Sequence, residues 1–171
     1  MIRIVLIDDH AVVRTGYRRL LSAEADFEVV GEAVSADEAN ALVQRSQPDV
    51  ALVDLNLKGS SGLEAIRGML ARKPGLRVLV LSIPDWGVTP FARRELRSPR
   101  RIARELDAYN AVARDACEAQ GVAFVDITGI SRDGGDAAAM LAEDGLHPSA
   151  AMYARWTAEA LPVARGLLAE A

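Results

Sequence analysis

Short runs of β-branched residues and leucine alternate with longer stretches of helical periodicity. Ile2-Arg3-Ile4-Val5-Leu6-Ile7 is apolar at all but one position, the pattern of a strand covered on both faces of a parallel sheet. Residues 11–22 predict a helix, and Phe27-Glu28-Val29-Val30 a second strand. Ser35-Ala36-Asp37-Glu38 has the spacing of a capping box and opens a helix that ends before Pro48. Val50-Ala51-Leu52-Val53 predicts a third strand, and Ser61-Gly62-Leu63-Glu64 repeats the capping-box spacing ahead of a helix reaching about Arg72. Leu76 to Leu81 reads as strand four.

The rhythm then changes. Ile83 to Ser98 holds Pro84, Gly87 and Pro90, a loop longer than a compact α/β unit needs. Ser98-Pro99 is an N-cap and first-turn pair ahead of a long helix with Ile102, Leu106, Tyr109, Val112, Ala113 and Ala116 at helical spacing. Val122 to Val125 predicts strand five. A Gly/Asp-rich loop leads past Asp144 and His147 into a last helix, which Pro162 is expected to kink or interrupt.

Five strands alternating with helices predict an α/β fold, with a parallel sheet covered on both faces and chemistry at the carboxyl ends of the strands. The length, 171 residues, suits a single domain, and half of the residues are hydrophobic. The net charge of −4 lacks the basic surplus of a nucleic-acid partner, so none is expected. Cys117 is the one cysteine, which excludes an internal disulfide and, with no apolar run long enough for a membrane span, leads to the expectation of a cytoplasmic protein with no membrane partner.

Asp8 and Asp9 end the first strand and Asp54 ends the third. If those strands are neighbours, three acids converge at one rim, and like charges so close call for a cation such as Mg²⁺. The alternative is three solvated acids capping strand ends. Ile4-Val5-Leu6-Ile7-Asp8-Asp9-His10, Val50-Ala51-Leu52-Val53-Asp54-Leu55-Asn56 and Leu79-Val80-Leu81-Ser82 resemble a bacterial response-regulator receiver domain, of the kind attached to helix-turn-helix DNA-binding domains. The resemblance covers residues 1 to about 82. It implies Asp54 as phosphoacceptor, Mg²⁺ held by Asp8, Asp9, Asp54 and the carbonyl of Asn56, and Ser82 as the switch hydroxyl. A receiver would carry a Lys at the end of strand five, and here an acid, Asp126, stands near that place. Lys58 reads as a solvated loop residue, and His10, which follows the acid pair, is expected near the pocket mouth with no catalytic role.

Asp144-Gly145-Leu146-His147-Pro148-Ser149 places an acid three residues before a histidine, a spacing that can orient an imidazole. With Ile83 to Phe91, Tyr109-Asn110 and Val122 to Ile127, it resembles the C-terminal half of an SGNH (GDSL-type) hydrolase. That resemblance implies Asp144 and His147 as catalytic residues, here an inactive remnant, because Asp9 stands where such hydrolases carry the nucleophilic serine. Without that serine no acyl-enzyme forms.

Both families share a three-layer α/β/α, flavodoxin-like sandwich with a five-stranded parallel sheet in the order 2-1-3-4-5. The expectation is therefore one domain over 1–171, its residues 1–82 receiver-derived and 83–171 hydrolase-derived. The favoured reading is an engineered, non-enzymatic chimera with no complete active site, a residual Mg²⁺ and phosphoacceptor pocket, and no obligate partner. A monomer is expected, with a dimer as the alternative. The competing readings are a weak esterase using His147 and Asp144, and a natural receiver-like signalling module.

Overall fold

The computed structural model describes residues 1–55, 57–73, 75–94 and 96–169, apart from the side chains of Val12, Leu20, Leu168 and Ala169. The chain forms two compact units, Met1–Leu76 and Arg77–Ala171.

In the first unit β1 (Ile2–Ile7) is the middle strand of a parallel sheet in the order β2-β1-β3, with β2 spanning Phe27–Ala33 and β3 Val50–Val53. The register pairs Ile7 with Ala33 on one side and with Val53 on the other. Ile4, Val5, Leu6 and Ile7 are all buried, as a central strand of continuous apolar sequence should be. Helices α1 (Ala11–Leu21), α2 (Ala36–Ser46) and α3 (Gly62–Arg72) complete the unit. Its core joins Val5 and Ile7 to Ala39, Leu42 and Val43 of α2 and to Ala65 and Met69 of α3. The capping box expected at Ser61 and Glu64 is present in full. At α2 the Ser35 side chain accepts from Glu38 N–H, while the Glu38 carboxylate takes the amide of Val34 instead of that of Ser35.

In the second unit β4 (Leu79–Leu81) pairs in parallel with β5 (Ala123–Val125). The expected adjacencies 2-1-3 and 4-5 are both present, in a three-stranded and a two-stranded sheet and not in one five-stranded sheet. The loop after β4 contains two short 3-10 turns, at Trp86–Val88 and Phe91–Arg94. Helices α4 (Pro99–Glu118), α5 (Thr128–Arg132) and α6 (Ala150–Ala169) follow, and Val125, Ile127, Met152 and Trp156 form this unit's core.

Two expectations change here. On α4, Ile102 is buried, but Tyr109 and Val112 are exposed and the polar Asn110 is buried instead. Asn110 Nδ2 donates to the carbonyl oxygen of Ile83 and to Thr128 Oγ1, and its Oδ1 accepts from Ile83 N–H. A side chain with two donors and an acceptor holds an irregular loop where an apolar one could not. Pro162 lies inside α6 without ending it. Its turn is exposed, so water serves the carbonyl that loses an amide partner.

Candidate functional site

The continuous apolar run of β1 ends at Asp8, where the chain leaves the buried strand for its carboxyl rim. Ladder pairing carries past both strand ends: Asp8 N–H donates to the carbonyl of Ala33 and Asp54 N–H to that of Ile7. This parallel register brings Asp8, Asp9 and Asp54 together, and His10 joins them. One ligand atom from each of the four lies within 4.8 Å of the others. Unit negative charges 4 Å apart near a protein surface repel by about 4 kcal/mol per pair, so the cluster calls for positive charge.

Asp8 is only 9 % exposed, and its Oδ1 accepts from the backbone N–H of His10 at 2.7 Å. Its carbonyl accepts from Arg14, whose Nε is bound to Glu32; Arg18 holds the other Glu32 oxygen. The first arginine after the acid pair is therefore turned to a backbone carbonyl and to Glu32. The hydrogen bonds from Arg14 and then Arg18 hold the Glu32 carboxyl below its ordinary pKa, against the opposing effect of burial. Asp9 Oδ1 is buried and, although 2.9 Å from His10 Nδ1, makes no well-directed hydrogen bond among the described residues. A buried carboxylate oxygen left in this way is costly unless a cation takes it. The donor set, all carboxylate oxygen apart from His10, fits Mg²⁺.

Behind Asp54, Gly62 opens α3 against the strand end, donating its N–H to the carbonyl of Leu55 at 3.0 Å. A Cβ at Gly62 would lie 2.2 Å from the Asp54 carbonyl oxygen, so only glycine allows this approach. Lys58 is exposed, as the sequence indicated. Asn56 lies outside the described residues. His10, expected near the pocket mouth without a catalytic role, is the member of the site whose contact with the acids was not foreseen. Its position directly after the acid pair was the available signal, but the turn that brings Nδ1 to within 3.3 Å of Asp8 Oδ1 was not legible.

The remaining candidates lie in the second unit. Ser82 is buried; its Oγ accepts from Ile127 N–H and Thr128 N–H and is 2.8 Å from Thr128 Oγ1. Asp126, where a receiver Lys was sought, bonds Ser82 and Thr128 and pairs with Arg114. Burial opposes ionisation of Asp126, but the hydrogen bonds from Thr128 and Ser82, with Arg114, outweigh it and lower its pKa. Asp144 and His147 do meet, with Nδ1 and Oδ2 2.5 Å apart on an exposed loop. The His147 side chain, helped by the amides of Leu146 and His147, lowers the Asp144 pKa to about 2. The loop is closed by a bridge between Leu141 and Pro148.

Residues 4–89 match the response regulator receiver domain. The chain is 36 % identical over 124 residues to the transcriptional regulatory protein DegU of Brevibacillus brevis, covering 72 % of this chain and 52 % of that protein. It is 46 % identical over 82 residues to the DNA-binding transcriptional activator DevR/DosR of Mycobacterium tuberculosis, covering 48 % and 38 %, respectively. It is 40 % identical over 120 residues to the transcriptional regulatory protein LiaR of Bacillus subtilis, covering 67 % and 57 %. The chain thus spans roughly half the length of these relatives or less. A crystal structure of a LuxR-family two-component response regulator from Aurantimonas sp. SI85-9A1 is 29 % identical, with a TM-score of 0.46 over 72 % of this chain and 89 % of that one.

These matches overturn the engineered chimera. A match covering 72 % of the chain must cross the join expected near residue 82, and what it matches there is a natural bacterial regulator. The hydrolase assignment of residues 83–171, and with it the weak esterase, is withdrawn. The exclusion of nucleic acid is also withdrawn, since a matched relative is itself a DNA-binding activator. Among the described residues no helix is long and apolar enough to cross a membrane. The family is generally not enzymatic. With its receiver match over half of its length and an acidic cluster at the carboxyl ends of β1 and β3, the chain belongs to the response-regulator receiver domain family.

Proposed function

We propose that the chain is the signal-receiving part of a two-component regulator, in which Asp54 accepts a phosphoryl group. The observation that carries this reading is the convergence of Asp8, Asp9 and Asp54 at one rim, with Asp9 Oδ1 buried and short of a partner. A carboxylate oxygen of Asp54 attacks phosphorus; the new O–P bond forms as the bond from phosphorus to the donor's leaving oxygen breaks, and that oxygen keeps the electron pair. Asp8 and Asp9, with Asp54, would hold Mg²⁺, which would offset charge on the incoming phosphoryl oxygens. Arg14 fixes the carbonyl of Asp8 and so the direction in which the acid pair leaves β1. Asn56 and Ser82 enter as the carbonyl ligand and the switch hydroxyl on the strength of the resemblance. Asp144 and His147 take a structural part in this reading, closing a loop through the Asp144 carboxylate. The downstream partner proposed is DNA, the class named for the M. tuberculosis relative.

The test is intact-mass measurement of the full chain with acetyl phosphate and Mg²⁺. Wild type is expected to gain one phosphoryl group, Asp54→Asn none, and wild type with EDTA far less. An unchanged wild-type mass overturns the proposal.

A further inference from the structure

We propose that His10 is a fourth protein ligand of the cation at Asp8, Asp9 and Asp54, and that its nitrogen turns the site toward first-row transition dications. The inference rests on the metal-assisted receiver reading above. His10 Nδ1 is 2.9 Å from Asp9 Oδ1 and 3.3 Å from Asp8 Oδ1. Neighbouring donors on an octahedral ion with bonds of about 2.1 Å stand about 3 Å apart, so these separations are those of donors sharing one ion. The contact with Asp9 Oδ1 is short, yet it lacks the direction of a hydrogen bond. Asp9 Oδ1 therefore keeps a lone pair for a third party, while Nδ1 faces Asp8 Oδ1 in a hydrogen bond whose proton a bound dication would displace. The ring is held there by its own backbone, because His10 N–H is bound to Asp8 Oδ1. Its side chain is 63 % exposed, so Nε2–H can remain in water while Nδ1 ligates.

Three carboxylates alone form a site for a hard cation. Imidazole adds little for Mg²⁺, which prefers oxygen and retains its waters, but much for Co²⁺, Ni²⁺ or Zn²⁺ and something for Mn²⁺. Oxygen ligands by themselves already favour Co²⁺ over Mg²⁺, so the decisive quantity is the selective loss when His10 is removed.

The experiment is calorimetric titration of the metal-free full chain with Mg²⁺ and with Co²⁺, together with pulsed EPR of bound Mn²⁺. It compares wild type, His10→Ala, Asp54→Asn and, because the chain has a second histidine, His147→Ala. The expected result is a loss of about tenfold in Co²⁺ affinity for His10→Ala with Mg²⁺ affinity kept within about twofold. Nitrogen coupling to Mn²⁺ should vanish in His10→Ala and persist in His147→Ala. If Co²⁺ and Mg²⁺ bind, weaken in Asp54→Asn and ignore His10→Ala, the His10 inference fails while the acidic site stands. If neither ion binds wild type, both fail together.

Discussion

Replacing Gly62 with alanine tests whether the start of α3 is seated directly on the backbone of Asp54. A Cβ built at Gly62 falls 2.2 Å from the Asp54 carbonyl oxygen and 2.7 Å from Leu55 Cα. Ordinary contacts lie at about 3.5 Å, longer by about 0.8–1.3 Å, and both neighbours are backbone, which cannot rotate away. Either the helix start or the end of β3 must move. Overpacking of this kind costs about 1–3 kcal/mol. Weakening the bond from Gly62 N–H to the Leu55 carbonyl adds about 1 kcal/mol. The helix-propensity gain of alanine offsets at most about 1 kcal/mol, leaving a net loss of about 2 kcal/mol. For a unit the size of Met1–Leu76, each kcal/mol shifts Tm by about 4–8 °C, so the transition should fall by about 10 °C. Gly16, exposed inside α1 with nothing within 4 Å of its would-be Cβ, is the control: Gly16→Ala should be neutral or raise Tm. Melts followed by circular dichroism, with and without Mg²⁺, read both effects. The Mg²⁺-induced rise in Tm should shrink in Gly62→Ala, because displacement of the Asp54 backbone carries its carboxylate with it. Equal responses of the two variants would refute the steric argument; a lower Tm with an undiminished Mg²⁺ shift would refute the link to Asp54.

Further outcomes follow from other contacts. Asn110→Ala leaves the Ile83 N–H without its partner, while the Ile83 carbonyl keeps Thr128 Oγ1, so chemical denaturation should show a loss of about 1–3 kcal/mol, and an unchanged midpoint would remove the loop-clamp assignment. Glu32 has an ordinary pKa of 4.5, lowered in the fold by Arg14 and Arg18. Its stabilising contribution is therefore full above that value and fades as pH falls through the lowered one. Glu32→Gln should flatten the acid limb of a Tm-against-pH curve, and identical limbs would argue against the pairing. Asp144, with its pKa at about 2, should stay ionised through mild acid, so the chemical shifts of the His147 ring should show no step from Asp144 between pH 5 and pH 3, where an ordinary carboxyl would titrate.

Some of this molecule could be read without coordinates. The unbroken apolar run of β1 reports burial on both faces because a strand's side chains alternate, and all four of its last residues are buried. Ser61 and Glu64 announce a helix start because the capping box is a local hydrogen-bond pattern, complete within four residues. Asp8, Asp9 and Asp54 stand at the ends of their strands by sequence alone.

Their meeting was conditional on β1 and β3 being neighbours, and pairing is a through-space choice that local periodicity does not encode. The adjacencies 2-1-3 and 4-5 of the expected order are found, in two sheets and not in one. Asn110 was passed over because a buried polar side chain looks like a solvated one until its partners, 27 residues away at Ile83, are in place. Local patterns, settled among residues a few positions apart, were determined by the sequence itself. Strand partners, the burial of Asn110 and the turn of His10 onto the acid pair were decided only by tertiary structure, because each depends on distances and directions that chain order does not specify.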